Sequence, residues 1–350
     1  MRWLLPFFHK LQLRFFFLVE NHISPDDLKD FLSFRGANQM DCFGLGSLMK
    51  QLWFLNMRPG SSDNVNTHFY FSSRHQPERV QVYPGDQFGL EWVDFDPSRR
   101  TIMIVHGFMT VDWSKGGNTW KYWRAVANTR RVGSDTTGFM RQLISATGAN
   151  IKDFHFVGHS LGAHIAAYVS YHLGRVARVT GLDPAQPCFN NSTSVERLDK
   201  TDADFVTQTS IPTEACSSLV VSTIPHPFGL NYSQLLLIQA ICSHGRAYLL
   251  FTESLLNENC RFRGYRWNLT YEGVNASLVA ACDLQGSCAE MGINAGGANH
   301  TKQAKGAYFQ ANGNAEIHIL SYYEIYVKDF VSTDQPSSKT MYRGRTPTLY

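Results

Sequence analysis

The sequence lacks several features that would assign it to a particular class of protein. No stretch approaches the roughly 18 to 20 consecutive apolar residues that a transmembrane helix needs, so no membrane span is predicted. No run of five like charges occurs, and the net charge of +3 is scattered, which argues against nucleic-acid binding. Repeats and low-complexity tracts are also missing. What is present is 43% hydrophobic and 13% aromatic content in 350 residues, enough for a large core.

The first residues of the chain are an imperfect match to a signal peptide. They contain apolar runs, but three basic residues interrupt these runs and no small-residue cleavage site follows. We predict a leader or poorly ordered segment over 1–40, a single α/β domain over 41–330 and a C-terminal tail over 331–350.

Two residue types indicate the secretory route. Seven cysteines fall mostly in the second half of the chain, where one or two disulfides would fit an oxidising compartment, and their odd number leaves at least one free thiol. N-x-S/T sequons for glycosylation occur at Asn190, Asn191, Asn231, Asn268, Asn275 and Asn299. The sequence therefore predicts a secreted glycoprotein with disulfide bonds.

Strands and helices are predicted to alternate in the middle of the chain. TIMIV (101–105), FHFVGHS (154–160) and RVTGLD (178–183) have the apolar, β-branched character of buried strands. Apolar residues at helical spacing predict helices over 123–146 and 161–174. This alternation predicts an α/β fold with a doubly wound, mostly parallel sheet and helices on both faces.

Two shorter runs precede this region. HFYFSS (68–73) and FGLEWVDF (88–95) lie between proline and glycine breaks and have a strand-like composition. We therefore predict a layer of short strands on the N-terminal side of the main sheet.

The segment GHSLG (158–162) fits the G-x-S-x-G pattern of a nucleophile elbow, between an apolar strand and an alanine-rich helix. A serine on such a turn is held in strained backbone geometry, and the two glycines let neighbouring backbone approach. The nearby His155, His159 and His164 straddle a strand, a turn and a helix start, so we expect no shared metal face. Ser160 is the predicted nucleophile.

A serine nucleophile needs a base and an orienting carboxylate, which hydrolases of this type supply in the chain order Ser, Asp, His. Asp183 follows the next predicted strand, at the edge where catalytic groups gather. For the base, position alone permits both His226 and His244, the latter in a predicted loop leading into an amphipathic helix.

Many stretches in order resemble the pancreatic lipase family of animal lipases and phospholipases A1, over residues 42–325. The matching stretches are VNTHFYF, RRTIMIVHGF, VDWSKG, ANTRRVG, VGHSLGAH, GLDPAQPCF, ERLDKTDADFV, CSHGRAY and SCAEMGINA. The resemblance implies an α/β-hydrolase fold and a catalytic triad of Ser160, Asp183 and His244, which favours His244 over His226.

The resemblance also implies an oxyanion hole made by the backbone N–H groups of Phe108 and Leu161. The chain departs from the family just here, because only three residues separate Gly107 from Val111, where the family has a full helix. A crossover between parallel strands needs about a dozen residues. We therefore predict an irregular segment over 106–116 and a poorly preorganised oxyanion hole.

A structural calcium site is a further implication of the resemblance. Asp199 and Asp202 supply hard oxygen ligands on a loop, as calcium prefers. The resemblance adds the backbone carbonyls of Ser194 and Arg197. We expect no cofactor in catalysis itself.

The resemblance leaves Cys42, Cys242 and Cys260 without their family partners, and the pair Cys282–Cys288 is the one disulfide that we predict. The family's paired cysteine at the start of the lid is also missing. The chain ends soon after YYEIYVKDF, so the family's C-terminal β-sandwich is not expected.

The region 207–241 should form a short, differently tethered lid. Lid size influences the choice between triacylglycerol and phospholipid. We predict a carboxylic ester hydrolase acting on lipid esters at an interface, similar to a triacylglycerol lipase. A phospholipase A1 is the alternative because of the short lid, and a non-catalytic lipid-binding or storage protein is the second, because fold does not dictate function.

Overall fold

The computed structural model of the protein describes most of the middle of the chain. The described residues are 65–86, 88–106, 122–189, 192, 194–210, 232–256, 262–267, 288–295, 306–311 and 319–327. The predicted leader (1–40), the tail (331–350) and all six sequons lie outside them, so the domain boundaries and the glycosylation stay predictions.

The described residues form ten strands and three α-helices. The strands are β1 Phe69–Phe71, β2 Val80–Val82, β3 Thr101–Val105, β4 Phe154–His159, β5 Arg178–Leu182, β6 Phe205–Ser210, β7 Arg263–Trp267, β8 Cys288–Glu290, β9 Gly306–Ala311 and β10 Ile319–Val327. The helices are α1 Tyr122–Thr147, α2 Leu161–His172 and α3 Tyr232–Leu256, with 3-10 turns at Leu90–Trp92, Ile151–Asp153 and Gly292–Asn294.

Eight of these strands form the main sheet, in the order β3-β4-β5-β6-β10-β9-β7-β8. Strands β3 to β6 are parallel, and β10, β9, β7 and β8 extend the sheet in antiparallel pairings. The parallel part contains the three strands that the sequence predicted, with α1 and α2 at the predicted places between them. The α/β alternation is therefore confirmed.

Helices cover both faces of the parallel strands, as the alternating side chains of β4 show. Phe154 and Phe156 are buried in the large core that contains α1 and α2. Val157 points the other way and packs with Ala247 and Phe251 of α3. The prediction of helices on both faces is confirmed.

The N-terminal layer is smaller than predicted. β1 and β2 pair antiparallel, and the ring of Phe69 stacks on Phe139 of α1 with centroids 4.1 Å apart. The predicted strand over 88–95 is wrong, because Leu90–Trp92 form a 3-10 turn after Gly89, which has φ 75°. The side chain of Gln76 bonds the carbonyl of Trp92 and the N–H of Asp94, where a partner strand would otherwise be needed.

Strand β3 lies at one end of the described sheet, and only one of its faces is buried. Ile102 and Ile104 are 47% and 40% exposed, whereas Val105 on the other face is 6% exposed. The expectation of a fully buried strand at 101–105 is therefore wrong for one face. The short connection after this strand lies within 107–121, outside the described residues, so the predicted irregular segment over 106–116 stays a prediction.

Within the described part of the chain, no helix combines the length and hydropathy required to cross a bilayer.

Three described cysteines are in disulfide bonds: Cys188, Cys242 and Cys288. Cys242, for which the resemblance left no family partner, is thus bonded as well. Outside the described residues lie Cys42, Cys216, Cys260 and Cys282. The pairing of Cys288 with Cys282 therefore stays a prediction.

Candidate active site

Ser160 occupies the sharp turn between β4 and α2. Its backbone has φ 57° and ψ −125°, an unfavourable conformation for a residue with a side chain, and α2 begins at the next residue. Its N–H donates to the carbonyl of Leu182 at the end of β5. The predicted strained elbow is confirmed at this residue.

Two glycines allow the elbow to pack tightly. A Cβ added at Gly158 would lie 2.3 Å from the carbonyl oxygen of Gly162, and one added at Gly162 would lie 2.3 Å from the carbonyl oxygens of Val105 and His106. Both obstacles are backbone atoms, so a side chain cannot be accommodated by rotating a neighbour. The predicted reason for the glycines, close approach of backbone, is confirmed.

Asp183 follows β5 directly and lies beside the elbow. Its φ of 44° turns the chain out of the strand, and its N–H donates to the carbonyl of Thr209 in β6 at 2.6 Å. The carboxyl ends of β4 and β5 thus bring Ser160 and Asp183 to the same edge of the sheet, as parallel strands do.

His244 lies within α3, where a loop was predicted. The helix runs from Tyr232 to Leu256, so the expectation of a loop at His244 is wrong. His244 falls on the same helical stripe as Ala247, Tyr248 and Phe251, whose side chains pack on the sheet. The packing of this stripe outweighs the cost of about 1 kcal/mol of Gly245 in a helix.

His244 and Asp183 form the central contact of the site. Nδ1 of His244 lies 2.6 Å from Oδ2 of Asp183, and both side chains are partly exposed. A carboxylate at this distance holds a proton on Nδ1 and leaves Nε2 as the basic nitrogen. Ser160 and His244 both belong to the described part of the chain, and Oγ of Ser160 makes no hydrogen bond with His244. Catalytic hydrogen bonds of this kind are often long when no substrate is bound.

The other candidate base, His226, lies in 211–231, outside the described residues, together with most of the predicted lid. The last ten residues of the predicted lid, 232–241, belong to α3.

One of the two predicted oxyanion donors is described. Leu161 is the first residue of α2 and is fully buried, and the N–H groups of this first helical turn favour negative charge beside Ser160. Phe108 lies outside the described residues.

The three histidines around the elbow have separate partners. Nε2 of His155 lies 2.8 Å from Oγ1 of Thr180, and Nε2 of His164 lies 2.8 Å from the carbonyl oxygen of Ala185. Side chains alternate along a strand, so His155 and His159 share one face of β4. This was not expected from the sequence.

His159 is the residue of the site that sequence reasoning missed. Its Nε2 lies 3.0 Å from the backbone carbonyl oxygen of His244, and the two imidazole rings are 4.4 Å apart. The only signal in the sequence is its position next to Ser160, because its partner is 85 residues away.

The predicted calcium loop contains two neighbouring carboxylates. Asp202 is 2% exposed, and its Oδ2 accepts from the N–H of Asp199 at 2.6 Å. Burial raises the pKa of Asp202 to about 7, and the carboxylate of Asp199 contributes in the same direction. Arg197 is 3.6 Å from Asp199, and Ser194 is exposed. The two carboxylates are oxygen ligands of the kind that calcium prefers, but a calcium site needs about six to eight of them.

Carbonyl ligands are needed to complete such a site. No cluster of three or more histidine, cysteine or acidic residues able to hold a metal occurs in the described ranges.

Comparison with known proteins finds similarity to lipases. The lipase family model matches residues 109–221. The chain is 28% identical to human pancreatic triacylglycerol lipase over 291 residues, which are 68% of this chain and 61% of that protein. It is 29% identical to human pancreatic lipase-related protein 2 over 313 residues, which are 73% of this chain and 65% of that protein. Over these stretches the chain is similar to pancreatic lipases.

This similarity confirms the resemblance drawn from the sequence and, with the observed sheet, the α/β-hydrolase fold. The chain spans 61% and 65% of the length of these two pancreatic relatives. A shorter match reaches higher identity, 34% over 180 residues to pig pancreatic lipase-related protein 2, covering 44% of this chain and 38% of that protein.

Proposed function

We propose that the chain is a carboxylic ester hydrolase that acts on lipid esters through Ser160, His244 and Asp183. The observation that carries the proposal is the 2.6 Å contact of His244 with Asp183 beside a strained serine at the start of α2. A general base must lie beside the serine that it activates and must be oriented by a carboxylate, and this histidine meets both requirements.

In the first half of the reaction, Oγ of Ser160 attacks the ester carbonyl carbon while Nε2 of His244 takes its proton. Asp183 holds the imidazole by Nδ1 and stabilises the imidazolium that forms. The tetrahedral intermediate then collapses, and His244 returns the proton to the departing alcohol. An acyl group remains on Ser160.

In the second half, water takes the place of the alcohol. His244 accepts a proton from the attacking water and returns it to Oγ of Ser160 as the carboxylic acid leaves. The negative oxygen of both intermediates is stabilised by the N–H of Leu161 and, by resemblance, by that of Phe108. Loss of one such donor costs roughly 3 kcal/mol in comparable sites.

Calcium would have a structural role only. The carboxylates of Asp199 and Asp202, with the carbonyls of Ser194 and Arg197, would hold the loop after β5 together. No step of the hydrolysis needs the ion.

We propose triacylglycerol as the substrate and the extracellular space as the location of the protein. The name of the human pancreatic relative specifies triacylglycerol, and the cysteines and sequons of this chain fit the secretory route.

The function is tested with wild type and Ser160→Ala on triolein and phosphatidylcholine in the same emulsion. We expect wild type to release fatty acid from triolein faster than from phosphatidylcholine, and the variant to release none. Preference for phosphatidylcholine would indicate a phospholipase A1. Equal rates of wild type and variant would contradict the proposed nucleophile, and an inert wild type would favour a lipid-binding protein.

A further inference from the structure

The residue just before the proposed nucleophile contacts the proposed base. His159 is the last residue of β4, and its Nε2 lies 3.0 Å from the backbone carbonyl oxygen of His244. The two rings are 4.4 Å apart and inclined by 38°, and the ring of Tyr248 meets that of His159 edge-on at 5.4 Å. Since 244 and 248 are one helical turn apart, His159 contacts the face of α3 that packs on the sheet.

The direction of this hydrogen bond follows from its partner. A carbonyl oxygen only accepts, so Nε2 of His159 carries the proton and donates. Loss of solvent around the ring holds the pKa of His159 well below its usual range, and His244 and His106 lower it further. The ring is therefore neutral at the pH at which a His244 base would work.

We propose that His159 is a positioning residue that fixes the turn of α3 bearing His244 over the nucleophile elbow. The proposal rests on the proposed function, because it presumes that His244 is the base. The elbow then has two tasks, since Ser160 attacks the substrate and its neighbour holds the base within reach.

A neutral donor suits this position better than a charged one. During the reaction His244 becomes an imidazolium, and a second positive charge at 4.4 Å would oppose its formation. The titratable groups that face His159 are His244 and Tyr248 of α3 and His106 after β3, and Asp183 contacts the far side of His244. Of these groups, the carboxylate of Asp183 is the one that favours an imidazolium at His244, because it is negatively charged.

The test compares His159→Met and His159→Gln in the full chain. The two side chains have similar length, but only glutamine has an N–H to donate. With a short-chain nitrophenyl ester, His159→Met should lower kcat roughly threefold to tenfold, the loss expected of one hydrogen bond, with KM unchanged. His159→Gln should recover most of the rate.

The matched control is His155→Met, four residues away on the same face of the same strand. His155 is also a partly buried histidine with a lowered pKa, but its Nε2 contacts Thr180. This variant should lower the thermal midpoint as much as His159→Met does and leave kcat unchanged. Equal kcat losses in the two methionine variants would overturn the positioning role.

A second readout does not need turnover. In the ¹H NMR spectrum of protein labelled with ¹⁵N-histidine, the proton on Nδ1 of His244 should give a low-field resonance. This resonance should weaken in His159→Met and persist in His159→Gln and His155→Met. If wild type is inert but the resonance responds in this way, the positioning stands and the proposed function fails. If Ser160-dependent hydrolysis is present but the resonance and kcat ignore residue 159, the positioning fails and the function stands.

Discussion

The nucleophile elbow and the edge strand β3 are neighbours in the same sheet, but they are supported differently. Strand β4 of the elbow is covered by α2 on one face and α3 on the other, and Phe156 is fully buried. Its neighbour β3 is covered on one face, and Ile102 and Ile104 are open on the other. The difference shows that Ser160 follows a strand packed on both faces, whereas the strand that leads to Phe108 is packed on one.

This contrast separates two parts of the chemistry. The contact of His244 with Asp183 depends on β5 and α3, which are well packed. The donor expected from Phe108 depends on chain that follows the half-covered β3. We therefore expect Ser160 to react readily with a probe, while the oxyanion of the hydrolysis is less well stabilised than in a site with two firmly held donors.

The largest effect should come from the elbow side. Asp183→Asn replaces the carboxylate with an uncharged amide whose N–H can donate to Nδ1, which favours the wrong imidazole tautomer, so kcat should fall by about 10⁴ in an ester assay. Asp204→Asn is the control, because Asp204 pairs with Lys152 on the surface, and kcat should be unchanged. A loss under tenfold for Asp183→Asn would mean that His244 is not oriented by this carboxylate.

A smaller but still large effect should follow from Gly162→Ala, where β3 and the elbow meet. Its methyl group would overlap backbone oxygens of Val105 and His106, and the free energy of unfolding should fall by about 3 kcal/mol. Gly138→Ala in α1 has open space and should stabilise the protein by about 1 kcal/mol. Urea titrations of both variants measure these changes, and equal stability of the two would disprove the close approach.

The pH dependence of stability should reveal the packing behind the elbow. Burial lowers the pKa of His164 from 6.5 to about 4. Its Nδ1 accepts from the N–H of Leu198, which a protonated ring cannot do. Because the unfolded state binds the proton first, stability present at pH 7 is lost as the pH falls through 6.5 toward 4, by at most about 3 kcal/mol.

The contribution of His164 is isolated by difference. Urea titrations at pH 7 and pH 5 should show a smaller drop for His164→Phe than for wild type. Parallel losses in the two proteins would exclude His164 as a source of the dependence.

The smallest effect should come from the open face of β3. Ile104 and Val157 are register partners on neighbouring strands, but Ile104 is 40% and Val157 4% exposed. Ile104→Thr should change the free energy of unfolding by no more than about 0.5 kcal/mol, and Val157→Thr should cost about 2 kcal/mol. Thermal or urea unfolding measures both, and a large cost at Ile104 would show that this face is covered in solution.

Local patterns predicted the elements whose formation depends on local sequence. The bounds of β3 and the start of α2 follow from an apolar run and from the elbow motif. The strand expected at 88–95 failed because the side chain of Gln76, far from it in sequence, satisfies its backbone. The exposure of Ile102 could not be predicted either, since it depends on which element covers the strand.

The candidate site shows the same limit. Ser160 and Asp183 were found from the strands that precede them, and His244 from its motif within the family resemblance. Its helix was missed because CSHGR contains glycine and polar residues, and contacts with Val157 and Leu182 stabilise α3 there. The contact of His159 with His244 joins residues far apart in sequence, which periodicity does not reveal.

The central claim is that Ser160 is activated by His244 and Asp183, and the most direct measurement is labelling of the full chain with a fluorophosphonate probe, with the site mapped by mass spectrometry. We expect one rapidly labelled serine, Ser160, and a large loss of its labelling rate in Asp183→Asn. Labelling of a different serine, or the same rate at Ser160 in wild type and Asp183→Asn, would contradict the account.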